Sequence, residues 1–335
     1  MVNAKILVLF SLLYSCGTNG NYKMSDHYNG KTFYNTNGTH PNSFFDLLKW
    51  KFGFSAEKWP AKHAVKFPEI IPPEPNPAKV SITFVTHATF LIQSQGTNIL
   101  TDPVWSDRVS PVSFAGPVAV HKPAILFEHL PKIDIVLISH NHYDHMDRDT
   151  IRRLDQKFSP LFIVPLNNAE LIRGFGATNI IEIDWWDSKT IAEKIKITLT
   201  PAQHWSSRVP FDINKSLWGG FFIESLNEKI FFAGDTGYGD HFKEIRKKLG
   251  APTISLLPIG AYEPRWFMKD MHMNPEDAVL AHLDLESKLS LGMHFGTFQL
   301  TDEAIDSPEK DLFLAMDKLK VLNFKAPKPG ENFVL

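Results

Sequence analysis

The sequence predicts a mixed α/β chain, a sandwich of two sheets covered by helices. Three observations carry this. From residue 81 onward, short apolar runs alternate with amphipathic stretches. The run at 133–139 is almost continuously apolar, as a strand buried on both faces must be. The runs also form two stretches of β with helices interspersed.

Taken in order, residues 81–85, 89–93 and 98–102 read as consecutive strands joined by short turns. Strand 133–139 follows, then a helix over 148–157, a strand over 161–165 and a helix over 167–174. Strands are expected at 194–201, 217–224 and 229–233. Residues 240–249 form a helix and 253–258 a strand. Residues 274–284 form a helix with Pro275 in its first turn. The pattern closes with a strand at 288–294 and a helix over 302–319. No internal repeat is visible.

The segment before residue 80 has a different character. Met1 to Lys5 and the short apolar run at 6–14 have the form of a signal peptide over 1–15. The run ends Leu13-Tyr14-Ser15-Cys16-Gly17, which resembles a bacterial lipobox. That resemblance implies cleavage before Cys16, acylation of this cysteine, and a lipid-anchored protein of the bacterial cell envelope. Gly17 carries no retention charge, so the outer membrane is the expected side. A start at Met24 would instead give a cytoplasmic protein. Residues 16–43 are rich in Gly, Asn and Thr and read as a flexible tether. Residues 44–79 read as an N-terminal extension: one helix within 44–59, then a linker with Pro72, Pro73, Pro75 and Pro77. The main domain is 80–335.

Composition removes several functions. The 335 residues carry 35 Lys+Arg against 37 Asp+Glu, a net charge of −2, which disfavours a nucleic-acid partner. No apolar run reaches the ~20 residues of a membrane span. The single cysteine excludes an intrachain disulfide and a Cys-based zinc finger.

The strand at 133–139 delivers Ser139-His140-Asn141-His142-Tyr143-Asp144-His145, an H-x-H-x-D-H loop. Imidazole and carboxylate are the ligands of hydrolytic zinc. Four such residues within six positions cannot all reach one tetrahedral ion that keeps an open place. They suit two adjacent ions. Three further candidates, His204, Asp235 and His294, each end an apolar strand. Gly234 and Gly237 beside Asp235 permit close backbone approach.

This pattern resembles the metallo-β-lactamase superfamily, an αββα sandwich with a dinuclear site. The resemblance implies that His140, His142 and His204 hold one Zn²⁺ and Asp144, His145 and His294 a second, with Asp235 bridging both. A cysteine ligand, used by some β-lactam-hydrolysing members, is excluded because Cys16 is the only one. A bridging carboxylate suits members that cleave phosphodiesters, thioesters or lactones.

Longer stretches narrow the resemblance. They are Thr86-His87-Ala88-Thr89, Leu100-Thr101-Asp102-Pro103, Asp184-Trp185-Trp186, Gln203-His204-Trp205, 231–238, 294–298 and above all the eleven residues 258–268. Together they resemble the N-acylphosphatidylethanolamine-hydrolysing phospholipase D family. Three departures stand out: Thr86 occupies a position where the family has glycine, Met271-His272 stands where it has Gln-His, and the segments before residue 80 match poorly, so that the resemblance covers roughly residues 80–335. The resemblance implies a phospholipid substrate and attack by a metal-bridging hydroxide. The products would be an N-acylethanolamine and phosphatidate.

Asp144, Asp235 and His272 are the catalytic candidates, His272 as proton donor to the leaving alkoxide or as a phosphate contact. His87 and Asp102 are candidates to orient metal ligands. Tyr262, Arg265 and Trp266 are candidates for substrate contact, Arg265 through a phosphate. Trp185, Trp186, Trp205, Trp218, Trp266 and Phe267 are candidates for an acyl groove. Two other functions fit the residues: the same site acting on a lactone or small ester, and a catalytically silent envelope lipoprotein.

Overall fold

The computed structural model describes residues 22–53 and 56–335. The leader over 1–15 and the acylated Cys16 lie outside the described residues. Helix α1 (Phe44–Lys51) opens on Ser43, whose hydroxyl accepts the Asp46 N–H while the Asp46 carboxylate accepts the Ser43 N–H. Then come β1 (Val80–Thr86), β2 (Thr89–Ser94), β3 (Thr97–Thr101) and β4 (Ile135–Leu137). Helix α2 (Arg148–Phe158), β5 (Leu161–Pro165), α3 (Ala169–Arg173) and β6 (Ile180–Ile183) complete the first half. The second half runs β7 (Ser188–Ile191), β8 (Ile195–Thr200), β9 (Gly220–Ser225), β10 (Glu228–Phe232), α4 (His241–Leu249) and β11 (Ile254–Pro258). It ends with α5 (Arg265–Met268), α6 (Pro275–Leu285), β12 (Leu289–Met293), α7 (Ser307–Leu319), β13 (Phe324–Lys325) and β14 (Asn332–Val334).

Two seven-stranded sheets result, ordered β14-β1-β2-β3-β4-β5-β6 and β13-β12-β11-β10-β9-β8-β7. Each begins with antiparallel hairpins and continues parallel: β3 to β6 in one, β10 to β13 in the other. Parallel strands bring their carboxyl ends to one edge, where ligand sites of α/β sheets form.

Strand periodicity builds the layers. Ile135 and Leu137 face the core between the sheets with Ile82, Phe84 and Phe90, while Val136 and Ile138 point outward beneath Ile151 and Leu154 of α2. Burying Ile151 and Leu154 contributes about 1.5–3 kcal/mol each. That exceeds the ~1 kcal/mol of the Asp147 N-cap, so packing rather than capping holds α2. On the second sheet, Phe242 and Ile245 of α4, Ala278 of α6 and Leu312 of α7 close the outer face.

The structure corrects the tether over 16–43. Its described part, from residue 22, is fastened to the sandwich. Tyr28 and Phe33 belong to the main core, and Tyr22 donates to Glu182 across the first sheet's edge. The Gly/Asn composition signalled tight turns, not freedom. Helix α1 stops at Lys51, and α7 starts at Ser307 because residues 302–306 turn Glu303 back onto the Ala261 and Glu263 N–H groups. Strands β6, β7, β13 and β14 were not predicted. β7 is mostly exposed and β13 and β14 are two and three residues long, so no apolar alternation marks them.

The ends of β11 and β12 approach so closely that a Cβ at Gly260 would sit 2.2 Å from the His294 carbonyl oxygen. Gly260→Ala should therefore force the strand ends apart and cost about 1–3 kcal/mol. A denaturant midpoint lowered accordingly, with weaker metal retention, is the expected result.

Candidate metal centre

Every predicted ligand lies at the carboxyl end of a strand. His140, His142, Asp144 and His145 follow β4, His204 follows β8, Asp235 follows β10 and His294 follows β12. All are buried apart from His142, which is half-buried. Close packing explains the glycine before Asp235: Gly234 has φ +61°, and a Cβ there would lie 2.7 Å from the Ser139 Cβ.

The ligand atoms fall in two groups. His140, His142 and His204 converge, with His140 Nε2 2.9 Å and His204 Nε2 3.3 Å from His142 Nδ1. Asp144, His145 and His294 converge as well: His294 Nε2 lies 3.1 Å from His145 Nε2 and 3.2 Å from Asp144 Oδ2. Asp235 stands between the groups. Its Oδ2 is 3.2 Å from His145 Nε2, 3.1 Å from His294 Nε2 and 3.9 Å from His204 Nε2.

Hydrogen bonds behind the ligands settle which nitrogens face inward. Asp102 accepts from the Ser139 N–H (2.7 Å), the Ser139 hydroxyl (2.6 Å) and His145 Nδ1 (2.6 Å). Since the Ser139 proton goes to Asp102, its oxygen accepts from His140 Nδ1 at 2.9 Å. His204 Nδ1 donates to the Met271 carbonyl at 3.0 Å. Three histidines thus carry a proton on Nδ1 and turn Nε2 inward.

This arrangement fits metal. Inward ring nitrogens and carboxylate oxygens crowd within contact distance of one another. Asp235 Oδ1, His142 Nε2 and His294 Nδ1 are buried without a hydrogen-bond partner among the described residues. A buried carboxylate oxygen without a donor is costly, and a cation relieves it.

The electrostatics separate the groups. Burial holds His140 and His204 well below the usual imidazole range and lowers His142 to about 4. In the second group burial also opposes charge on histidine, but Asp235 and Asp144 outweigh it. His145 is raised well above its usual range and His294 to about 9. Burial likewise opposes ionisation of Asp144 and Asp235, and the facing histidines overcome it, holding both carboxyls well below their usual range.

The orienting residues divide. Asp102 contacts His145 and, through Ser139, His140. His87 Nε2 lies 3.0 Å from Asp144 Oδ2, and burial lowers His87 to about 4, so it is a neutral donor to that carboxylate. His272 is half-buried, with Nδ1 3.8 Å from Asp235 Oδ2. Burial lowers it to about 4, which leaves it neutral at pH 7. Arg265 is not free for a phosphate: it pairs with Asp277 at 2.7 Å and donates to the His272 carbonyl at 2.9 Å. Tyr262 donates to Asp311, away from the ligands. Trp266 is half exposed beneath Lys49. Among the candidate groove aromatics, Trp185 and Trp218 are core residues whose indoles donate to the Trp218 and Ala202 carbonyls. Phe267 packs at a tilt against Trp50 and Trp186 lies under Lys248. Only Trp205 reaches the ligands, standing edge-on to His142 at 4.6 Å.

Sequence reading missed Arg208. Its guanidinium, packed against Tyr143, donates to the Asn141 and Met146 carbonyls and clamps the ligand loop at both ends. No motif marks it.

These protonation states give a prediction for metal-free protein. At pH 7 metal entering the His140/His142/His204 group displaces no proton, because those rings are already neutral. Metal entering the Asp144/His145/His294 group displaces protons, because His145 and His294 sit above pH 7. Calorimetric titration in buffers of different ionisation enthalpy should show one proton-silent step and one proton-releasing step. The second should tighten as pH rises from 7 toward 9. Two proton-silent steps would contradict the assignment.

Residues 97–295 match the Beta-lactamase superfamily domain. The chain is 38% identical over 263 residues to N-acyl-phosphatidylethanolamine-hydrolyzing phospholipase D 1 of Caenorhabditis elegans, 74% of each chain. It is 34% identical over 322 residues to an uncharacterised protein of Mycobacterium tuberculosis, 92% of this chain and 84% of that one. Residues 80–335 alone cannot supply that share, so the likeness extends ahead of β1. A solved metallo hydrolase of Ignicoccus hospitalis shares the fold, with a TM-score of 0.58 at 23% identity over 77% of this chain and 98% of its own. The chain is a metal-dependent hydrolase and belongs to the metallo-β-lactamase superfamily.

Proposed function

We propose that the protein is a phosphodiesterase of the phospholipase D type, which hydrolyses N-acylphosphatidylethanolamine to an N-acylethanolamine and phosphatidate. The observation that carries this reading is the set of seven converging ligand side chains in a chain 38% identical to a phospholipase named for that substrate. His140, His142 and His204 would hold one metal, Asp144, His145 and His294 the other, and Asp235 both. Zinc suits this donor set. Such a pair, when bound, supplies a water of lowered pKa as nucleophile and neutralises charge on the phosphoryl oxygens.

The chain's own residues supply the rest. Asp102 and His87 keep the ligands in the tautomer and orientation that leaves their inner atoms free. His272, neutral at pH 7, is placed to offer an N–H to a phosphoryl or leaving oxygen. It is a hydrogen-bond donor there, not a cationic acid. Trp205 makes one wall apolar beside His142. Phe45, Phe52 and Trp266 expose apolar surface around α1 and α5, four residues before His272. That surface supports action at a lipid interface. Acylation at Cys16 in the cell envelope would hold the protein there. No helix among the described residues is long and apolar enough to cross a membrane.

Metal-replete protein incubated with N-acylphosphatidylethanolamine should release N-acylethanolamine, detected by mass, and Asp235→Asn should release none. His272→Ala should keep both metals and lose roughly 10²–10³-fold in kcat/KM, as removal of one transition-state donor does. Turnover of lactones or simple phosphodiesters alone would retain the metal centre and discard the lipid substrate.

A further inference from the structure

His204 lies beyond the end of β8, where no ladder strand pairs its backbone. It is fully buried, so its N–H and C=O need partners from elsewhere. Both come from one side chain on the N-terminal segment. Asn35 Nδ2 donates to the His204 carbonyl at 2.9 Å, and Asn35 Oδ1 accepts the His204 N–H at 3.1 Å. Asn35 is itself buried. Two residues on, Asn37 Nδ2 donates to Gln203 Oε1 at 2.5 Å, and Gln203 Nε2 donates to the Asp270 carbonyl at 2.7 Å. The same segment thus reaches the loop that carries His272.

The segment is fixed at its other end. His27 Nε2 meets Asp184 at 2.7 Å and its ring stacks on Trp185, with centroids 4.4 Å apart. The Phe33 N–H donates to the Asn214 carbonyl, and its ring lies in the main core. Residues 27–37 are therefore a strap drawn across the sandwich and ending on a metal ligand. They stand outside residues 97–295, the part that matches the superfamily domain.

We propose that Asn35 is a positioning residue for His204, and that the strap is part of the metal centre. The side chain of His204 is held at Nδ1 by the Met271 carbonyl, and its peptide is held at both polar atoms by Asn35. Together they fix where Nε2 points. Without Asn35 the peptide must rotate or take in water to satisfy its buried groups, and the ring leaves its place opposite His140 and His142. The Asp144/His145/His294 group has no contact with the strap among the described residues. The inference rests on the assignment of His204 as a ligand.

The test uses the full chain and measures metal, not turnover. Zinc content and the affinities of both sites are read by chelator competition, and Co²⁺ replaces zinc to give a spectrum sensitive to ligand geometry. Asn35→Ala removes both contacts. Asn35→Asp has the same size and keeps the acceptor but loses the donor, and it decides the matter if the alanine variant does not fold. Leu312→Ala, under α7, lowers stability without approaching the site. His204→Ala is the reference for a lost ligand. We expect both Asn35 variants to weaken one metal about 10- to 100-fold, to alter the Co²⁺ spectrum and to leave the other metal unchanged. Leu312→Ala should lower the melting temperature with both affinities intact. If His204→Ala loses a metal while the Asn35 variants bind both normally, Asn35 is purely structural and the inference fails. If His204→Ala itself keeps both metals at full affinity, the ligand assignment fails first and this inference with it.

Discussion

Asp102 is the residue on which the candidate metal centre depends. It is fully buried at the end of β3, with φ of +32°. It accepts three hydrogen bonds, all from the ligand loop after β4. Burying a carboxylate costs several kcal/mol, and leaving one unpaired typically costs 3–5 kcal/mol. The Ser139 and His145 donors must therefore stay in place, and the ligand loop is locked to the strand beside it. His145 and His140 acquire their tautomers as a consequence. The β3 end, the β4 end and two inward Nε2 atoms form one cooperative unit.

Two other positions repeat this use of unusual backbone. His87 and His294 have φ of +47° and +61°, outside the region that side chains prefer. Such residues cost of order 1–3 kcal/mol each and persist where the surroundings over-determine them. Here the surroundings are continuous, because the His294 N–H donates to the His87 carbonyl and the His87 N–H donates to Thr297. Strain and charge collect at the same strand ends. The packed layers below, from Phe84 to Phe232, hold those ends rigid.

Much of this was legible in the sequence, for local reasons. The H-x-H-x-D-H loop places four candidate ligands on one turn after an apolar strand, and His204, Asp235 and His294, which the fold brings beside them, each terminate an apolar run. Period-two alternation gave most of the strands that carry them. The supporting residues were not legible. Asn35 meets His204 across 169 positions, and the Met271 partner is a carbonyl with no side-chain mark. Arg265 suggested a phosphate site because its pairing with Asp277 depends on how α5 and α6 pack. Trp185 and Trp218 looked like groove residues because an aromatic near a strand end reads the same inward or outward. The strap looked like a tether because its hold comes from a few anchors, Tyr28, Phe33 and Asn35, in otherwise polar sequence.

The central claim is that these seven side chains hold two metals with Asp235 between them. Anomalous diffraction at a metal absorption edge, on crystals of the metal-replete full chain, tests it most directly. The account predicts two peaks roughly 3.5–4 Å apart. One would lie against His140, His142 and His204 and the other against Asp144, His145 and His294, with Asp235 reaching both. A single peak, or a second peak away from these residues, would contradict it.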